Sequence, residues 1–193
     1  MTWAKLRRLI ETDPEAALRK VDAAESAWNR SIGYAWVARF TPGDPIPVAF
    51  AAANAASDGK DAYQRSASRA WEVAALAERG FRERARESLE DAVAVADTAE
   101  PIGSRAEALF LLLAAAARVD LAAAWTVAER IVRGAGDQSH WRFKRAVWST
   151  AGILAGIDAA AAADFVSMNP PGKLRDRSRK EAARPCPPRP FFW

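Results

Sequence analysis

The segment Trp28-Asn29-Arg30-Ser31-Ile32-Gly33-Tyr34-Ala35-Trp36 returns 35 positions later as Tyr63-Gln64-Arg65-Ser66-Ala67-Ser68-Arg69-Ala70-Trp71. Ser104-Arg105-Ala106 and Lys144-Arg145-Ala146 repeat the opening Ser68-Arg69-Ala70 in degraded form, at spacings of 36 and 40. Units of this period are helical hairpins, and a lone hairpin cannot bury its own apolar face. Each must therefore stack on its neighbours. The repeat predicts an all-α chain: a right-handed α-solenoid of about five antiparallel helical hairpins over residues 1–169.

Punctuation along the chain divides this region into ten helices. The first covers Trp3–Ile10, and Asp13-Pro14 opens the second, with a capping carboxylate ahead of proline at the first helical position. A third runs from Asn29 to Phe40 and stops at Thr41-Pro42-Gly43. Asp44-Pro45 opens a fourth that ends near Ser57-Asp58-Gly59. The fifth, Asp61–Arg79, ends at Gly80, a residue suited to the left-handed turn after a helix. Ala85, Leu89, Ala92, Val93 and Ala96 form the apolar stripe of the sixth. Glu100-Pro101 precedes a seventh at Ile102–Ala117, and Asp120 caps an eighth striped by Leu121, Ala124, Ala128 and Ile131. After a turn at Gly134-Ala135-Gly136-Asp137 come a ninth helix, His140–Ala155, and a short tenth capped by Asp158.

Half of the 193 residues are hydrophobic, and alanine leads them. Alanine has the highest helix propensity and lets helices approach closely. The formal charge of +4 is unevenly placed. Residues 170–193 hold seven basic and two acidic side chains, +5 in all, so residues 1–169 come to −1. A body this close to neutral does not offer nucleic acid a broad basic face. Six prolines and no helical period accompany the tail's charge, and it is expected to be disordered. The lone cysteine, Cys186, excludes an internal disulfide. The charged opening Met1–Pro14 carries no secretion signal, and the apolar run Ala108–Ala117 is too short for a bilayer. A cytoplasmic location is expected.

The second helices of the hairpins resemble tetratricopeptide-like repeats. Gly80, Ala85, Leu89 and Ala92 follow that family's small–large–small spacing after the inter-helix turn. Asp120, Ala124, Ala128 and Ile131 echo it, and Asp158, Ala162 and Val166 do so weakly. Trp36 and Trp71 match the family's large aromatic in the first helix. The resemblance spans about Trp28–Val166. The closing proline is displaced and the repeats run long, so a HEAT-like repeat stays open as the alternative. The resemblance implies a curved superhelix that holds a peptide or protein partner, and it implies no catalytic residue.

Arg30, Arg65, Arg69, Arg105, Arg142 and Arg145 recur at the starts of first helices, where stacking would align them in a ladder. Such a ladder could clamp an acidic peptide or phosphates through bidentate contacts. Equally, these arginines could pair with Glu72, Glu107 and other neighbouring acids. Among the eight tryptophans, Trp36, Trp71, Trp125 and Trp148 lie on apolar stripes and read as core plugs. Trp3, Trp28 and Trp141 stand at helix fronts, where an aromatic beside arginine can anchor a partner. The only histidine, His140, reads as a helix cap. With one histidine and one tail cysteine, no metal site is expected and no cofactor is called for. Carboxylates interleaved with Arg82, Arg84 and Arg86 read as surface ion pairs.

These features converge on a non-enzymatic adaptor or scaffold. Its expected partner-binding residues are Arg30, Arg65, Arg69, Arg105, Trp141, Arg142 and Arg145, and its expected partner is a protein or peptide, with an acidic one suited to the arginines. The alternative is nucleic-acid association through the basic tail. The tail's terminal Phe191-Phe192-Trp193 also permits a docking peptide that enters a partner's pocket, or an extension with no function.

Overall fold

The computed structural model describes residues 2–133 and 140–192. Among them are twelve helices and no strand. The helices are α1 (Trp3–Thr12), α2 (Pro14–Asp22), α3 (Ala27–Phe40), α4 (Ile46–Ser57), α5 (Ala62–Ala67) and α6 (Arg69–Glu78). They continue as α7 (Arg82–Ala96), α8 (Ile102–Val119), α9 (Leu121–Arg133), α10 (Trp141–Ile157), α11 (Ala159–Met168) and α12 (Lys173–Ala182). The turn expected at Gly134–Asp137 lies outside the described residues.

Aspartate starts many of these helices. The carboxylates of Asp13, Asp61, Asp120 and Asp158 accept from the backbone N–H three residues ahead, at 2.7 to 2.8 Å. Each satisfies one of the amides that a helix leaves without a partner in its first turn. The Ala123 amide and the Arg86 guanidinium hold the Asp120 carboxyl below the usual carboxylate range. Gly80 takes the expected left-handed conformation at φ +85°.

Consecutive helices pair: α1 with α2, α3 with α4, α6 with α7, α8 with α9, and α10 with α11. The first helix of each pair also packs on the first helix of the next, in the order α1, α3, α6, α8, α10 and α12. Small residues set the spacing. A Cβ at Gly33 would lie 2.8 Å from Cγ2 of Val21, so α2 and α3 meet closer than any side chain there would permit. The small and large positions that carry the repeat resemblance are buried, among them Ala85, Leu89, Ala124, Ala128, Ile131 and Ala162. Trp36 is fully buried and Trp71 nearly so, whereas Trp125 and Trp148, expected as plugs, are only half-buried.

Two expectations need correction. The single fifth helix is two, α5 and α6, broken at Ser68. Ser66 Oγ donates to the Ala62 carbonyl at 2.6 Å, and Ser68 Oγ donates to that of Gln64 at 2.9 Å. Hydroxyls that bond back four residues bend helices. The amide of Ser68 is drawn out to 3.4 Å from Gln64, and Trp71 bonds Ser68 in a three-residue closure.

The second correction is to the tail, which is ordered through Phe192. Residues 173–182 form α12, which packs on α10 and α11 and buries only Ser178 fully. Its outer face is polar, so it ends the described helices against water. After a turn at Ala183 and Arg184, the chain runs from Pro185 as an extended strap. The Cys186 amide donates to the Gly152 carbonyl at 3.1 Å, and Phe191 ends fully buried. Composition weighed the segment's own charges and prolines. The groups that order it lie on α3, α6, α8 and α10.

Candidate functional site

The first-helix arginines divide into three groups by geometry. Arg30 donates to the Ala24 carbonyl at 3.0 Å, Arg65 to that of Gly59 at 3.4 Å, and Arg105 to that of Ala99 at 3.1 Å. Arg175 of α12 does the same to Asn169 at 2.5 Å. In all four the acceptor lies six residues before the arginine. The loop that leads into each helix has carbonyls without helical partners, and the guanidinium reaches back to satisfy one. Arg30 and Arg105 spend further donors on Asp58 (3.1 Å) and Glu100 (2.8 Å).

This contact also shows which helix starts correspond in geometry. Arg105 is equivalent to Arg65, 40 residues earlier, and not to Arg69 as the short Ser-Arg-Ala match implied. Arg69 instead lies inside the third hairpin. It bonds Glu72 at 3.1 Å and the Ser88 hydroxyl at 2.9 Å, and Ser88 donates to Glu72 in turn. Glu72 is only 3% exposed. Burial pushes its carboxyl above the usual range, against the pull of Arg69 and Ser88. The cluster joins α6 to α7 beneath an open cavity of about 320 Å³, with the largely exposed ring of Phe50 on α4 at its edge.

Trp141, Arg142 and Arg145 are arranged differently. The Trp141 side chain is 58% exposed at the first position of α10. The Arg145 and Arg142 guanidinium carbons lie 5.2 and 5.5 Å from its ring centroid, within cation–π range. Arg145 also pairs with Glu107 of α8. With Tyr63 and Ser104 these residues line a shallow concavity of about 420 Å³ where the starts of α5, α8 and α10 converge. Tyr63 stacks on Trp28 at 6.0 Å, and burial pushes its phenol pKa upward. His140 serves as the cap expected of it, its Nδ1 accepting from the Arg142 amide at 3.2 Å. Its ring lies against Gly103, where a Cβ would sit 2.4 Å from Cε1, so glycine is what lets α8 and α10 close here.

Of the seven expected partner-binding residues, the structure gathers three into one surface. Arg30, Arg65 and Arg105 hold loops, and Arg69 holds a hairpin together. Sequence reasoning missed Tyr63 and Ser104 as members of the surface. Tyr63 had a signal, since it occupies the position of Trp28 one repeat later. Arg84 and Arg86 form the expected surface pairs with Glu87 and Glu83, and Arg86 in addition crosses to Asp120 at 2.6 Å. Among the described residues there is no group of three or more histidine, cysteine, aspartate and glutamate side chains placed to hold a metal ion, and no helix is long and apolar enough to cross a membrane. Comparisons with protein-family models, curated proteins and solved structures find no match to the chain.

Proposed function

We propose that the chain is a non-catalytic helical-repeat module, an α-solenoid of tetratricopeptide-like hairpins, that captures a protein partner at the Trp141–Arg142–Arg145 face. The observation that carries this reading is an exposed tryptophan with two guanidinium groups within cation–π reach of its ring, at the edge of a concavity. Aromatic and arginine anchors dominate protein interfaces. Two arginines and the indole face favour a carboxylate-bearing or aromatic side chain on the partner. The recurring i−6 arginine contacts and the serial packing of first helices support the solenoid reading.

The test is partner capture by the full chain and by two variant sets. Trp141→Ala, Arg142→Ala and Arg145→Ala together should abolish retention of the partner. Arg30→Ala and Arg105→Ala should leave it in place on chains that stay folded. Retention by the first set, or equal loss from both, rejects the assignment. The tail's charge favours nucleic acid less than its composition implied. Arg175 is turned onto loop carbonyls, Arg177 and Arg179 pair with Glu181 and Asp176, and Arg189 lies over Trp71.

A further inference from the structure

The C-terminal strap crosses α3, α6, α8 and α10, on residues that read a peptide backbone. Arg118 of α8 donates through Nη2 to the Arg189 carbonyl at 2.7 Å, and its Nε is fixed on Glu78 at 2.9 Å. Trp71 donates its indole N–H to the Phe191 carbonyl at 3.2 Å. Two donors thus take carbonyls two residues apart, the spacing of an extended chain whose alternate groups face one way. The Phe191 ring meets Trp71 edge-on at 5.0 Å under the Arg118 guanidinium, and Phe192 meets Trp36 at 5.5 Å and Phe40 at 5.9 Å. Gly152 and Gly156 clear the path on α10: a Cβ at Gly156 would lie 2.8 Å from the Cys186 carbonyl oxygen.

The strap is held unevenly. Residues 183–190 are exposed except for half-buried Pro188, Phe192 is half-buried, and only Phe191 is fully buried. Segments with few buried contacts sit at the low-stability end of a fold, so such a strap can lift as a unit. Pro185, Pro187, Pro188 and Pro190 keep it extended before it docks, which lowers the entropy lost on binding. Aromatic-lined grooves that receive extended, proline-rich segments are a recurring mode of peptide recognition.

We propose that the groove formed by Trp36, Phe40, Trp71, Arg118 and the Gly152–Gly156 face is a docking site for an extended proline-rich peptide bearing an aromatic pair. Residues 185–192 occupy it as an internal copy of that ligand. The proposal rests on the strap's own contacts and is independent of the Trp141 face. A tethered segment competes at millimolar effective concentration, so the intact chain excludes a ligand supplied at micromolar levels. A partner peptide gains access when the strap lifts.

The experiment uses the full chain with a protease site inserted after Arg184, cut only after folding. A fluorescent peptide of residues 185–193 should then exchange with the severed strap and bind saturably. A peptide carrying Phe191→Ala and Phe192→Ala should bind at least about tenfold more weakly. In the uncut chain, Gly156→Ala crowds the strap at Cys186 while favouring helix α10. It should capture the labelled peptide at several-fold lower concentration than the unaltered chain. Three results would each overturn the proposal: loss of helical circular dichroism on cutting, which makes the strap part of the core; failure of the folded, cut chain to bind the peptide; or equal binding of the alanine peptide.

Discussion

The helix starts and the side of the molecule under the strap are built on different principles. At the starts of α3, α5, α8 and α12, an arginine reaches a carbonyl six residues back, so Arg30, Arg65, Arg105 and Arg175 each close a local contact. On the strap side, the contacts leap along the chain. Trp71, two residues into α6, bonds Phe191, 120 residues away, Arg118 bonds Arg189, and Arg79 clasps the end of α3 and the loop after it through Ala38, Thr41 and Gly43. The starts are therefore modular: losing one local contact loosens one loop. The strap side is shared, and removing a residue there exposes several helices at once.

The largest effect should come from Trp71→Ala. It deletes a side chain 5% exposed, its bond to Phe191, and its edge contacts with Trp28 and Phe191. Urea unfolding should show a loss of about 3 to 5 kcal/mol. A loss near 1 kcal/mol would mean that the strap side is as modular as the arginine contacts at the helix starts. Glu72→Ala comes next, at about 3 kcal/mol, because it strands the Arg69 guanidinium, itself only 13% exposed, with Asp91 at 3.9 Å as its remaining acid.

Glu72→Gln keeps the shape and adds a pH signature. Burial raises the Glu72 carboxyl in the folded chain, so its contribution is full below the unfolded value near 4.5 and is lost as pH rises through the folded one. The stability of Glu72→Gln relative to the parent should therefore improve as pH rises above the unfolded value near 4.5. A constant difference across that range would show that the carboxylate is fully repaid by Arg69 and Ser88.

Legibility in the sequence follows the same division. The helix starts could be read because their signals are local: Asp13, Asp61, Asp120 and Asp158 cap helices within three residues of themselves, and alanine stripes give the period of each helix. The arginine recurrence was visible too, but its purpose was not. A six-residue reach to a loop carbonyl leaves no mark on residue identity, since any residue supplies the carbonyl. Trp141 stood out as an aromatic beside arginine, and its neighbours Glu107 and Tyr63 needed α5, α8 and α10 to be brought together. The strap was illegible. Prolines and surplus positive charge describe a segment that cannot form its own core, and they say nothing of a groove assembled from α3, α6, α8 and α10.

Arg65→Ala tests whether the starts are as separable as their contacts imply. It removes one part-buried bond to Gly59, so a loss of about 1 kcal/mol is expected, with faster hydrogen exchange confined to the loop before α5. Exchange spreading to the α8 start would show the repeats to be coupled at this end as well. Tyr34→Phe measures a contact midway along α3, where the phenol donates to Asp22 of α2. That bond, with burial, pushes the phenol up to about 12. Its contribution is complete below the unfolded value near 10 and fades as pH rises toward 12. The Phe variant should cost about 0.5 kcal/mol at neutral pH, the bond being open to solvent at Asp22, and the gap should shrink over that alkaline range.

Trp141→Ala should produce the smallest change in stability, within about 0.5 kcal/mol of the parent, although it removes the largest side-chain type. Its ring is mostly in water, and the two guanidinium groups it carries keep other partners or solvent when it is gone. Set beside Trp71→Ala, this is the sharpest form of the comparison: the same substitution in the same stack of helices, with stability effects several kcal/mol apart. A large loss at Trp141 would make it a structural plug like Trp71 and would remove the reason to assign the α10 start to a partner. A negligible loss in unfolding, joined to lost capture of the partner, separates binding from folding at that position.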